Sequence, residues 1–202
     1  METPQNLRLA RRRGPVARRQ AGYTLIELVI TIGIVSILIV MGSTSCRYIT
    51  NSNRVAAEVN GLLGDMQLSR MEAIKQGVWV TICTSTNGTS CAGTTTWQNG
   101  WIVFTDNNGN GTVDAAAPPF PADAVLRVQP TFGNTDTFVS SNAATRIVFN
   151  REGFATGIAG GTLVSLHDSS SNTNWTRCLQ VNRSGMMVTQ KNAQVVNGVT
   201  CS

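Results

Sequence analysis

The first strong pattern is a long uncharged, largely apolar run. From Leu28 to Cys46, 19 residues pass without a charge. As a helix they span ~28 Å, close to the ~30 Å hydrocarbon core of a bilayer. Downstream the pattern becomes amphipathic. Val55, Val59, Leu62, Leu63, Met66 and Ile74 recur at helical spacing, with Glu58, Asp65 and Arg70 between them. That spacing predicts a helix with one face on a core. Gly77 comes next as a stop signal. One helix from residue 23 to about residue 76 would be ~80 Å long.

Beyond Gly77 the period shortens. Runs at 78–83, 101–104, 124–128, 146–149, 162–166, 178–181 and 185–188 read as strands bounded by turn residues. Residues 134–144 and 168–174 read as the loops that move most. No internal repeat is present. The fold class is α+β: a long N-terminal helix, half membrane-like and half amphipathic, packed on an antiparallel two-sheet domain. The organisation expected is a basic leader at 1–22, a helix at 23–76 with a membrane segment at about 25–46, and a β-rich exported domain at 77–202.

Charge changes the picture only at the N-terminus. The chain has 202 residues, 16 basic and 11 acidic. Six of the basic residues lie in residues 1–22: Arg8, Arg11, Arg12, Arg13, Arg18 and Arg19. Of the acids only Glu2 lies there, so removing this stretch leaves ten of each sign. Basic residues ahead of an apolar run keep the N-terminus in the cytoplasm and send the downstream chain across the membrane. Within the remainder, residues 65–126 carry five acids and two bases, and residues 127–202 carry six bases and three acids. A basic face near the C-terminus is thus one expectation.

An ordinary secretory signal would be cut after the apolar run, where Gly42, Ser43, Thr44 and Ser45 stand. A plain single-span anchor has no use for Glu27 at the edge of its core. A multi-span protein is excluded, since no second run of this length exists. At the helix centre a carboxylate costs ~2.5–3.5 kcal/mol on insertion scales, so such a residue usually has a partner. A cut before Tyr23 would create an α-amine four residues upstream of Glu27, and that amine on a neighbouring subunit is the obvious cation.

Gly22-Tyr23-Thr24-Leu25-Ile26-Glu27-Leu28 resembles the class III signal of type IV pilins and type II secretion pseudopilins. The resemblance implies cleavage by a prepilin peptidase between Gly22 and Tyr23, N-methylation of Tyr23, and Glu27 at the fifth mature position. Tyr23 stands where Phe or Met is usual. Thr44 stands where many pilins have a kinking proline. Further on, Glu72-Ala73-Ile74-Lys75, the strand ending in Cys83, Cys91, and Trp97-Gln98-Asn99-Gly100-Trp101 with Ile102 to Asp106 resemble the GspH/FimT family of minor pilins and pseudopilins. Together these resemblances cover roughly residues 20–190. They imply the pilin fold. Trp97 and Trp101 read as core or interface aromatics.

The cysteines fit an exported domain. Of five, Cys83, Cys91, Cys178 and Cys201 lie beyond the apolar run. Export makes disulfides their natural state, and four cysteines allow three connectivities. Pairing of neighbours, Cys83 with Cys91 and Cys178 with Cys201, is the expected one. Each bridge would contribute ~2–4 kcal/mol by restricting the unfolded chain. Cys46 is left over as a buried free thiol.

Two candidate sites carry chemistry. Asp106, Asn108, Asn110 and Asp114, with Gly111, match the spacing of a calcium loop. Its twelfth position is Ala117, so the usual bidentate carboxylate is missing. The alternative is an Asn/Gly-rich turn. No resident cofactor is expected, and weakly held calcium is the one candidate ion. The second site is basic. Some FimT-like minor pilins are thought to bind DNA through closely spaced arginines near the C-terminus. The corresponding stretch here runs from Asn182 to Val188, and Met186 and Met187 stand where arginines are expected. Arg177, Arg183 and Lys191 would supply a few salt-sensitive phosphate contacts, or be ordinary solvated charges. The one histidine, His167, reads as a surface or turn residue. No catalytic set is built around it, so the chain is not expected to be an enzyme. Residues 157–161 read as a turn, not a nucleotide loop.

The expected function is that of a minor pilin in a type IV pilus, with DNA uptake as an additional role. The alternative is a minor pseudopilin of a type II secretion system. Expected partners are other pilins through the N-terminal helix, the prepilin peptidase and the inner membrane. DNA is a further candidate. The chain would sit single-pass in the bacterial inner membrane with its C-terminal domain in the periplasm, then enter the pilus.

Overall fold

Thr24 begins the first helix. Its Oγ1 accepts the Glu27 N–H at 3.3 Å and its carbonyl accepts the Leu28 N–H at 3.1 Å. Those contacts satisfy donors that every helix start leaves open. Helix α1 then runs over Leu25–Gln76. At its end the Gly77 N–H donates to the Ala73 carbonyl at 3.0 Å. This computed structural model describes residues 22–133, 135–140, 142–158, 161–167, 173–196 and 198–201. The side chains of residues 41–48 and 199 lie outside that set. So do the leader arginines, the expected thiol at Cys46, the side chain of Thr44, through whose backbone α1 continues, and much of the expected 168–174 loop.

The chain forms two compact units, Met1–Ser45 and Cys46–Ser202. In the first, the described helical side chains are exposed. In the second, α1 buries Val55, Val59, Leu62, Met66, Ser69 and Ala73. The steps of three and four residues define one stripe. Leu63 packs at its edge. Ile74, expected on this stripe, is 52% exposed. It lies one residue after Ala73, which turns it about 100° out of the stripe.

The stripe faces two antiparallel sheets. The first contains β1 (Trp79–Thr84), β2 (Trp101–Asp106), β3 (Val125–Gln129), β5 (Arg146–Phe149) and β6 (Ala155–Thr156), in the order β3-β2-β1-β5-β6. The second contains β4 (Thr137–Ser140), β7 (Thr162–His167), β8 (Arg177–Val181) and β9 (Met187–Lys191), in the order β4-β7-β8-β9. A ribbon of β10 (Val195–Val196) and β11 (Val199–Thr200) closes the chain. Both sheets and α1 share one core that includes Leu62, Ile82, Trp101, Phe138, Val164 and Leu179.

Sheet one is buried on both faces at its centre. Val80, Ile82 and Val103 join the core under α1, while Cys83, Ile102 and Phe104 form a second cluster against Cys91 and Val113. The Cys83–Cys91 disulfide fastens the covering loop. Cys178–Cys201 does the same for the C-terminal ribbon, over Leu163. Trp97 and Trp101 are buried, and Trp101 meets Phe132 edge-on at 5.7 Å between ring centres.

Three expectations shift. Residues 137–140, placed in a mobile loop, form β4 and pair with β7. The segment is four residues long with only Phe138 as a large buried side chain, too little pattern to announce a strand. The last long strand begins at Met187, not at 185, because Gly185 and Met186 close a turn on Asn182. His167 ends β7 half-buried, with Nδ1 3.3 Å from Thr176 Oγ1.

Polar contacts pin α1 to the sheets. Arg54 makes a two-pronged pair with buried Asp136 at 2.8 and 2.9 Å. Asp65 accepts the Trp101 indole N–H at 2.8 Å and faces Arg127 at 3.4 Å. Arg70 donates to the Gly185 carbonyl at 3.0 Å. At Gly185, with φ +72°, a Cβ would collide with the Gly153 carbonyl and approach Arg70 Nε to 3.0 Å. Gly185→Ala is therefore expected to cost at least ~2 kcal/mol, from left-handed backbone plus collision. Gly198→Ala, at φ +77° in open space, supplies the backbone term alone. Denaturant midpoints of the two variants check this, and equal losses would contradict it.

Candidate functional site

The N-terminal unit is the first candidate. Leu25 is 82% exposed, and apolar residues from Ile26 to Val40 are exposed on every side of α1. A helix apolar all round belongs in lipid or in a bundle of its own kind. Its hydroxyls are satisfied internally: Thr31 donates to the Leu28 carbonyl at 2.8 Å and Ser36 to the Ile32 carbonyl at 2.7 Å. No helix among the described residues is long and apolar enough to cross a membrane. The apolar run itself continues past residue 40 into side chains outside the described set.

Glu27 is exposed in the first turn of α1. There the free N–H groups and helix dipole favour a negative charge. Thr24-Leu25-Ile26-Glu27 has the spacing of a capping box. Sequence reasoning missed Thr24, although that spacing was the signal. Gly22 and Tyr23 precede the helix, and Tyr23 is 83% exposed.

The basic residues divide. Arg177 and Lys191 are direct cross-strand partners on β8 and β9. Arg177 donates to the Asn174 and Thr176 carbonyls at 3.1 and 2.9 Å. Arg183 sits in the β8–β9 turn and donates to the Ile158 carbonyl at 3.2 Å. At ~3.3 Å per residue it lies roughly 20 Å along the hairpin from the other two. The fold thus offers a pair of cations and a separate third.

The acidic loop holds itself together. Asp106 is fully buried, accepting from Thr81 Oγ1 at 2.8 Å and from the Asn110 and Gly111 N–H groups at 3.0 and 2.8 Å. Asn108 and Asn110 turn their amide nitrogens toward Asp114, at 3.0 and 2.6 Å. A cation there would need the amide oxygens turned inward. Among the described residues no cluster of His, Cys, Asp or Glu is placed to hold a metal.

Hydrogen bonds from Asn108, then Asn110 and Thr112, hold the Asp114 carboxyl below its ordinary value. A depressed folded pKa adds stability above the unfolded value and loses it as pH falls through the folded one. Asp114→Asn is expected to lower the melting temperature at pH 7. The gap to the unaltered protein should close as pH falls below the ordinary value of 3.8. A gap that persists in acid would contradict this. Calcium to about 10 mM, the range of weak extracellular modules, is expected to leave the melting temperature unchanged. A rise would mean the loop rearranges around the ion.

Known proteins share this architecture. Residues 58–185 match the family model described as type II transport protein GspH. Residues 17–43 match the prokaryotic N-terminal methylation motif. No curated protein matches the chain. Among solved structures, the type IV minor pilin FimU of Pseudomonas aeruginosa is similar, with 18% identity and a TM-score of 0.51. That match covers 68% of this chain and 89% of FimU. The minor pseudopilin EpsH of the Vibrio cholerae type 2 secretion system matches at 9% identity and a TM-score of 0.43, over 68% of this chain and 96% of that one.

An N-terminal helix that begins within a methylation motif and packs on two antiparallel sheets defines the pilin class. The chain belongs to the GspH family of minor pilins and pseudopilins.

Proposed function

We propose that this chain is a minor pilin of a type IV pilus, acting in assembly. The observation that carries the reading is the N-terminal unit. Apolar side chains cover every side of α1 from Leu25 to Val40, and Glu27 is the one charge among residues 22–46. After a cut between Gly22 and Tyr23, the methylated Tyr23 amine would lie beside a neighbour's Glu27. Apolar helices would leave the inner membrane for a helical bundle, and the Glu27–amine pair would set their stagger. The carboxylate then finds in the filament the partner that lipid denies it. The disulfides fit an exported domain in an oxidising compartment.

The second reading is a minor pseudopilin of a type II secretion system, favoured by the description of the matching family. FimU likeness supports the fold of both. DNA capture would be an added role, resting on Arg177 and Lys191. Piliation, secretion and transformation assays on one deletion strain separate the three.

Glu27→Ala is expected to leave leader cleavage intact. It should lower recovery of the subunit in sheared filaments at least about tenfold, the effect of ~1.4 kcal/mol in an assembly equilibrium. Immunoblots of sheared and whole-cell fractions measure both, and normal recovery would contradict the role.

A further inference from the structure

The end of α1 carries an apolar surface that the fold leaves open. Met71 and Ile74 on α1, and Met186 in the β8–β9 turn, are 54%, 52% and 58% exposed. They line one groove of about 630 Å³ with Met187. The β5–β6 turn, which carries Phe154 (51% exposed), adjoins it. There Gly153 backs onto Ile74 and Arg70, and the Ala155 N–H donates to the Arg183 carbonyl at 3.0 Å. Single exposed apolar side chains are ordinary, but three lining one groove mark a contact surface.

The charges around it are mostly positive. Arg70 and Lys75 line the groove. Arg151 and Arg183 stand exposed in the two adjoining turns. The acids nearby are Glu72 and Glu152. Glu72 pairs with Lys75 at 3.2 Å and accepts from Gln76 at 2.6 Å, and Lys75, whose side chain is 69% exposed, has further N–H groups to offer an incoming carboxylate. Arg70 also keeps a buried Nε without an acceptor.

We propose that this groove receives an acidic segment with a protruding apolar side chain, supplied by a neighbouring pilin-type subunit. The inference rests on the filament-subunit reading above. Methionines adapt their shape to such an insert. Carboxylates beside it would meet Lys75 and Arg151 and fix its register. A second copy presenting this same patch would instead oppose cation to cation.

The test places a photo-crosslinking residue at Met186 in the full chain, in cells, with Met71 as a second position should the first disturb the turn. Two quantities are read: recovery of the subunit in sheared filaments, and the cross-linked peptide identified by mass spectrometry. The expected product joins an exported pilin-type subunit within a segment bearing at least two carboxylates. Its yield should fall roughly fivefold in the Lys75→Glu/Arg151→Glu variant, the effect of losing two rim charge pairs. Cross-links only to lipid, to the same patch on another copy, or to a segment without carboxylates overturn the inference, as does a yield indifferent to charge reversal. Filaments that contain the subunit without a cross-link sink this inference alone. Filaments that lack it sink the filament reading, and the inference with it.

Discussion

The carboxylate of Asp65 lies where α1 meets the β2–β3 side of the first sheet. It is nearly buried, accepts the Trp101 indole N–H and faces Arg127. Hydrophobic burial is non-directional, so the stripe from Val55 to Ala73 does not by itself fix how α1 sits along the strands. Asp65 supplies a fixed point. Trp101 in turn packs Phe132 and Phe138, which extends the same contact to the second sheet. Loss of the Asp65 acceptor would leave a buried indole N–H unpaired, a penalty of ~1–3 kcal/mol.

With α1 anchored there, the first sheet must satisfy two demands. One face takes α1. The other needs cover, because β1 and β2 are buried along nearly their whole length. Two polar loops provide it, and neither has an apolar pattern of its own. One is closed by Cys83–Cys91 and the other by the hydrogen bonds of Asp106, Asp114 and Asp123. Local chemistry stands in for the apolar side chains these loops lack.

Much of this is legible in the sequence. The helix, most long strands and the Trp-Gln-Asn-Gly-Trp block show in periodicity and turn residues, because burial on a regular element repeats at a fixed step. Phe138 on β4 and Gln190 on β9 are harder. One is a lone apolar residue in a polar stretch, and the other is a buried amide bonded to Gln180 at 2.9 Å. Pairing that depends on distant partners leaves little local trace. Of the candidate sites, Tyr23 and Glu27 are legible through a local motif. The separation of Arg183 from Arg177 and Lys191 comes from hairpin register, which sequence spacing does not reveal. The groove at Met71 is hidden for a similar reason, since its sides come from residues more than 100 apart.

The three polar pins on α1 also have a mechanical meaning. Arg54, Asp65 and Arg70 span 17 residues, about 24 Å of helix. Each holds a different part of the β-domain: the segment before β4, the start of β2 in the first sheet, and the β8–β9 turn. Tension along the helix axis therefore loads all three in parallel, as shear, and none can be unzipped ahead of the others. A subunit joined in this way passes axial force from its helix into both sheets at once.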